Sequence, residues 1–200
     1  MLEATNLECE RGGRKLFDAL SLSAAPGELL RIAGPNGSGK TSLLRILCGL
    51  LTPSEGEVRW KGEPIGALRE EYSKNLVYLG HAPAVKDDLT PAENLEFACR
   101  LAGLAPEASS LRKALEAFAV PDRPVRRLSQ GQRRRAALAR LVLSAAAPLW
   151  LLDEPLAALD PSAAALVEGL ARAHAARGGT VVYTTHQSTG LDAAARVIEL

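Results

Sequence analysis

The chain has 200 residues, 47% hydrophobic and 24% charged, enough for one substantial core with room for a small attached subdomain. A net charge of +1 gives no strong pull toward nucleic acid or an anionic membrane, and 4% aromatics weaken any base-stacking role. Cys9, Cys48 and Cys99 are odd in number, widely spaced and without a CxxC pair, which indicates neither a disulfide framework nor a zinc site and fits a reducing cytosol. At the N-terminus, MLEATNLECERGG carries Glu where a signal peptide has its apolar run. The longest apolar stretch, residues 141–152, is too short to span a bilayer and is interrupted by Pro148. A membrane role would therefore act through a partner.

In chain order, residues 1–33 predict short strands. Leu20 and Leu22 alternate with polar neighbours, Pro26 to Glu28 form a turn, and ELLRIA runs into a glycine cluster. Residues 34–50 then change to helical spacing, with Leu43, Leu44, Leu47 and Leu50 on one face. EVRWKG predicts a strand, and NLVYLG is a further short apolar run. From Thr90 two helices follow, separated by a break around Ala105-Pro106. LSQGQRRRAALARL, residues 128–141, predicts a third helix capped by Ser129, with an apolar stripe of Leu138, Leu141 and Val142. PLWLLDEP ends a continuous apolar run in two carboxylates, the pattern of a buried parallel strand. The next helix sets Ala163, Leu166, Val167 and Leu170 on one face and stops at Gly178-Gly179. TVVYTTH predicts another buried strand and ARVIEL a short edge strand. Strand–helix alternation implies one α/β domain over residues 1–200, with a helical region of about 85–143 inserted into it.

Gly34-Pro35-Asn36-Gly37-Ser38-Gly39-Lys40-Thr41 fits the phosphate-loop pattern between a strand and a helix. Its glycines let backbone N–H groups wrap phosphates, Lys40 offers a mobile positive charge, and the Thr41 hydroxyl suits Mg²⁺. Ser42 follows at the same helix start. Asp153, at the C-terminal end of its strand, is placed to hold Mg²⁺ through water. Glu154 follows it, and strand alternation would aim its carboxylate at an attacking water instead of the metal, as general base or water positioner. His186 would stand beside Glu154 and the terminal phosphate if the parallel strands end in step. His174 shares a helical face with Leu166 and Leu170 and reads as a packed structural histidine. Arg133, Arg134 and Arg135 point about 100° apart on a helix, so they form no single nucleic-acid patch and read as a solvated, partly phosphate-facing set.

GPNGSGKT, LSQGQ, LLDEP, the AALD after it and TTH occur in an order and spacing that resemble the ATP-binding cassette ATPases over nearly the whole chain. The resemblance implies a P-loop NTPase core of RecA type with an N-terminal antiparallel β subdomain and an inserted helical subdomain. It implies ATP and Mg²⁺, and head-to-tail pairing with a second copy. Ser129, Gln130, Gly131 and Gln132 would then grip the γ-phosphate held by the opposite subunit, and the Asp160 loop would link the two sites. The partners implied are integral membrane transporter subunits, with the chain peripheral on the cytoplasmic face of the inner membrane.

Two positions depart from the family pattern. An aromatic usually precedes the phosphate loop to stack on adenine; here Arg11 stands near that place, as a guanidinium plane for the base or as an exposed turn residue. His81 replaces the usual glutamine after VYLG. Imidazole is a poorer Mg²⁺ ligand than a carbonyl oxygen, which leaves contact through water, a coupling role, or a plain loop residue. With the TTHQ ending and the minimal length, these features resemble the ATPase subunits of bacterial cytochrome c maturation exporters, which work in haem delivery. The rivals are the ATPase of another small exporter of metals, lipids or drugs, and a soluble cassette protein acting on DNA or ribosomes. Soluble cassette proteins normally carry tandem cassettes or long coiled-coil insertions, which this chain lacks.

Overall fold

Leu2, Ala4, Leu7 and Cys9 are the buried positions of β1 (Leu2–Arg11), so the inward set changes from even to odd numbers partway along. The cause is a bulge: Asn6 has a φ of 48° and the register against β2 (Arg14–Ala24) shifts between Ala4 and Leu7. Ala19 repeats the device on β2, also with a φ of 48°. These strands run ten and eleven residues, longer than the short strands the sequence predicts, because the bulges break an alternation that continues on both sides of them. Gly56 of β4 (Glu55–Trp60) faces the first bulge, where a Cβ would lie 2.4 Å from the carbonyl oxygens of Thr5 and Asn6. With β5 (Glu63–Pro64) these strands make an antiparallel sheet in the order β2-β1-β4-β5.

The second sheet is parallel, in the order β6 (Leu76–Leu79), β7 (Leu149–Leu152), β8 (Thr180–Thr184), β3 (Leu29–Ala33) and β9 (Ala195–Glu199). Every residue of β7 and β8 is buried, which is why both read as continuous apolar runs. Alternate side chains serve two cores. Leu30, Ile32, Leu149, Leu151 and Val182 pack with α1 (Lys40–Leu47) and the antiparallel sheet. Leu29, Trp150, Leu152, Val181 and Tyr183 pack against the helices of the other face. The structure, a computed structural model, describes residues 1–200.

After the short α2 (Arg69–Lys74), the path from β6 to β7 runs through α3 (Pro91–Leu101), α4 (Ala108–Ala117), α5 (Gln130–Leu138) and α6 (Arg140–Leu143). Thr90 and Ser129 start α3 and α5 with reciprocal capping boxes, closed by Glu93 and Gln132. A break at Ala139 divides the predicted third helix into α5 and α6, and both Leu138 and Leu141 remain buried. On α7 (Pro161–Ala176) the buried stripe is Ala163, Val167, Ala171, His174 and Ala175, while Leu166 and Leu170 of the expected face are only partly buried. His174 stacks on Trp150 with ring centroids 4.0 Å apart and planes 7° apart, and burial pushes its pKa below the ordinary histidine value. Gly179 is needed beside it, since a Cβ there would come 2.1 Å from His174 Nε2. No helix is long and apolar enough to cross a membrane.

Candidate functional site

The parallel register sets the site. Leu152 pairs with Tyr183 and Ile32 with Thr184, so β7, β8 and β3 deliver Asp153, Thr184 and the loop 34–39 to one sheet edge. That edge opens into a cleft of about 710 Å³ lined by Asn36, Gly37, Gly39, Lys40, Thr41 and Ser42, and by Asp153, Glu154 and His186 across from them. Arg11 and His81, both exposed, also line it. Gly34, Pro35 and Ser38 of the same loop are not among the lining residues, and Pro35 is exposed. Lys40 is buried and its Nζ donates to the carbonyl oxygens of Gly34 at 2.7 Å and Pro35 at 2.9 Å, folding the loop around its own cation. Gly39 has a φ of 107°, and a Cβ there would meet Phe17 Cδ1 at 3.0 Å.

Asp153 is 1% exposed and holds both of its oxygens in defined bonds. Thr41 Oγ1 donates to Oδ2 at 2.9 Å and Thr184 Oγ1 to Oδ1 at 2.9 Å. Thr184 Oγ1 also accepts from the Glu154 N–H at 2.9 Å. Thr184 is the residue that sequence reasoning missed at this edge; its place two before His186 in TTHQ was its only signal.

Glu154 points differently from Asp153 for a reason other than strand alternation. β7 has already ended, and Glu154 adopts a left-handed backbone with a φ of 49°. A non-glycine residue there costs on the order of 1–3 kcal/mol and persists only where its surroundings hold it. His186 lies two residues past the end of β8, with Nε2 3.0 Å from Glu154 Oε1. The pair is at ion-pair distance, and Oε1 is buried with no aligned hydrogen-bond donor.

The arginine triplet is not a solvated set. Arg134 is 5% exposed and its Nη atoms donate to four carbonyl oxygens: Gly80 at 2.7 Å, His81 at 3.1 Å, Asp153 at 2.9 Å and Glu154 at 2.7 Å. Burial lowers its pKa, while the charges of Asp153 and Glu154 act in the opposite direction. Its neighbours take surface carboxylates: Arg133 reaches Asp87 at 2.7 Å and Arg135 stands 3.6 Å from Asp160. Three consecutive arginines carry no mark of which one turns inward, so the pattern hid the buried one.

The predicted signature residues stay outside the cleft. Ser129 and Gln130 are exposed, and Gly131 and Gln132 half-buried, on the start of α5. A Cβ on Gly131 would meet the Ala158 carbonyl at 3.2 Å, so this start approaches the loop before Asp160 closely. Asp160 is exposed and caps α7, accepting from the Ala163 N–H at 3.0 Å; that bond and Arg135 hold its carboxyl below the usual range. No group of three His, Cys, Asp or Glu side chains converges as a metal site. The oxygen donors present, the Thr41 hydroxyl and one Asp153 carboxylate, instead suit Mg²⁺, which keeps several waters and takes few protein ligands. Ser38 Oγ is buried in the loop without a hydrogen-bond partner, which fits a loop whose polar groups face a phosphate.

Loop, carboxylate pair and histidine at the end of a parallel sheet, with an antiparallel sheet on one face and helices on the other, define a nucleotide-binding cassette. The profile of the ABC transporter family matches residues 17–157, and the chain belongs to that family as an ATP-binding domain. It is 52% identical, over 100% of this chain and 95% of the relative, to the cytochrome c biogenesis ATP-binding export protein CcmA of Aromatoleum aromaticum. To the protein of that name from Nitrosomonas europaea it is 51% identical, over 94% of this chain and 89% of the relative. Its fold matches a dimeric ATP-binding cassette in a post-hydrolysis state bound to ADP and Pi, with a TM-score of 0.85 and 25% identity over 100% of this chain and 94% of that one.

Proposed function

We propose that the chain is the ATP-hydrolysing subunit of an ABC exporter serving haem delivery in cytochrome c biogenesis, at the cytoplasmic face of the inner membrane and held there by integral membrane subunits. The observation that carries the reading is the split between the two phosphate-binding helix starts. Lys40 and Thr41 line the cleft with Asp153, Glu154 and His186, whereas Ser129 is exposed and lies outside it. One copy therefore supplies half of an ATP site, and a second, head-to-tail copy supplies the other half.

Within a site, backbone N–H groups of residues 34–42 and Lys40 take the phosphates. Thr41 and Asp153 would hold Mg²⁺, which when bound neutralises charge on the phosphates. Glu154 orients the attacking water and accepts its proton through Oε1, with His186 stabilising the arrangement beside the γ-phosphate. Arg11 lines the cleft where the base would lie and offers it a planar guanidinium. His81 reaches the cleft from the loop after β6, and we assign it to coupling between the core and the inserted helical subdomain of about residues 85–143. Ser129, Gln130, Gly131 and Gln132 close on the partner's γ-phosphate, and Asp160 joins the two interfaces. Loss of that phosphate on hydrolysis removes the charge facing the α5 dipole and lets the copies part.

Glu154→Gln should lower turnover on the order of 10²–10⁴-fold while ATP still binds and a closed dimer accumulates on a sizing column. Turnover at the wild-type rate would overturn the assignment of the base. Purification in mild detergent should recover an integral membrane subunit; recovery of nucleic acid in its place would refute the transporter reading.

A further inference from the structure

Glu154 is held at both ends of its backbone. Its N–H donates to Thr184 Oγ1 at 2.9 Å, and its carbonyl oxygen accepts from Arg134 Nη2 at 2.7 Å. The same Nη2 takes the Asp153 carbonyl, while Nη1 takes Gly80 and His81 on the loop after β6. One guanidinium thus joins three segments: α5, the His81 loop and the catalytic turn. Arg134 makes no ion pair with a carboxylate, and no neutral side chain has a planar fork that satisfies four carbonyls from one place. Burying that charge is costly, and its partners are all backbone atoms of the site's own turns.

We propose that Arg134 is a positioning residue for ATP hydrolysis: its planar fork fixes the left-handed turn at Glu154, and with it the carboxylate that addresses the attacking water. The inference rests on the reading of Glu154 given above. The fork, more than the charge, is what the geometry requires. A lysine at 134 keeps a cation but reaches the carbonyls from a single nitrogen, so it cannot clamp the Gly80–His81 and Asp153–Glu154 turns in the same plane. Arg134 lines no part of the cleft and bonds only backbone carbonyls there, so binding through the phosphate loop should change little when it is replaced.

The test is a double-mutant cycle on the full chain, with Arg134→Lys, Glu154→Gln and the pair, following kcat, KM and the affinity of a fluorescent ATP analogue. Arg134→Lys should lower kcat on the order of 10²-fold, the loss expected when a reacting group shifts by about 1 Å. KM and analogue affinity should stay within about twofold, and the double variant should be no slower than Glu154→Gln alone. Arg134→Gln, which removes the buried charge, serves as a second variant and should show the same kcat loss with unchanged affinity. Wild-type kcat in Arg134→Lys, or losses that multiply in the double variant, would overturn the inference and leave the function reading intact. Wild-type kcat in Glu154→Gln would remove both. Should both Arg134 variants fail to fold, as judged by circular dichroism and melting, Arg134 is a stability element and the inference is wrong.

Discussion

Two helix starts in this molecule are built to opposite plans. α1 begins at Gly39, which has a left-handed φ of 107°, no side-chain cap and no acidic residue in the first turn. α5 begins at Ser129, whose hydroxyl accepts from the Gln132 N–H at 3.3 Å while the Gln132 side chain accepts from the Ser129 N–H at 3.0 Å. The first start has no side-chain cap and lines a cleft, where under the proposed function a phosphate would complete it. The second pairs the Ser129 and Gln132 N–H groups within the chain and leaves those of Gln130 and Gly131 without a capping partner. Under the proposed function, the contrast corresponds to two tasks: the open start would take the phosphates of its own nucleotide, and the capped start would serve a second copy.

The strongest way to break this contrast is Ser129→Asp. Aspartate caps a helix as well as serine does, so α5 should stay intact. Its charge, however, would face the partner's γ-phosphate. Turnover should fall on the order of 10²–10³-fold, the scale of losing a principal donor to a charged oxygen, while analogue binding to the monomer is unchanged. Normal turnover would mean that Ser129 meets no phosphate. Next in size is Lys40→Ala at the open start. Removing a charged donor costs about 1.5–3 kcal/mol, so ATP affinity should drop on the order of 10–10²-fold. An unchanged affinity would take Lys40 out of the phosphate site. A smaller effect belongs to Gly39→Ala. The left-handed backbone costs a non-glycine residue about 1–2 kcal/mol, and the added Cβ presses on Phe17 and Leu16. A melting temperature lower by roughly 2–8 °C is expected, and no shift would show that the open start relaxes freely.

What the sequence displayed and what it hid follow the same division between backbone and side chain. The phosphate loop, the run LWLLDE and the cap at Ser129 were legible because each is a local pattern with its own chemistry. The long strands β1 and β2 were read as short pieces, since bulges at Asn6 and Ala19 shift the phase of burial without changing composition. The expected face of α7 named Leu166 and Leu170 beside Ala163 and Val167, yet the buried stripe keeps only the latter two and continues through Ala171, His174 and Ala175, where His174 stacks on Trp150. Strand alternation does not decide where Glu154 points: it lies past the end of β7 with a φ of 49°, and its backbone is bonded by Thr184 and Arg134, which come from distant segments. Arg134 itself was hidden among three arginines. Charge suggests surface, and only the assembled carbonyls of four residues made an interior place for it.

The smallest predicted effect separates the cap from the contact. Ser129→Ala removes the hydroxyl that accepts from the Gln132 N–H but adds no charge or bulk. Loss of an N-cap costs about 1 kcal/mol, which for a domain of this size is a drop of roughly 2–4 °C in melting temperature. Ser129→Asp should show no such drop, because it keeps the cap and adds a favourable charge at the positive end of the α5 dipole. Stability and turnover therefore move in opposite order across the two variants: alanine is the less stable and aspartate the less active. If both properties fell together in each variant, the start of α5 would be a structural cap alone, and the two helix starts would differ in form without differing in task.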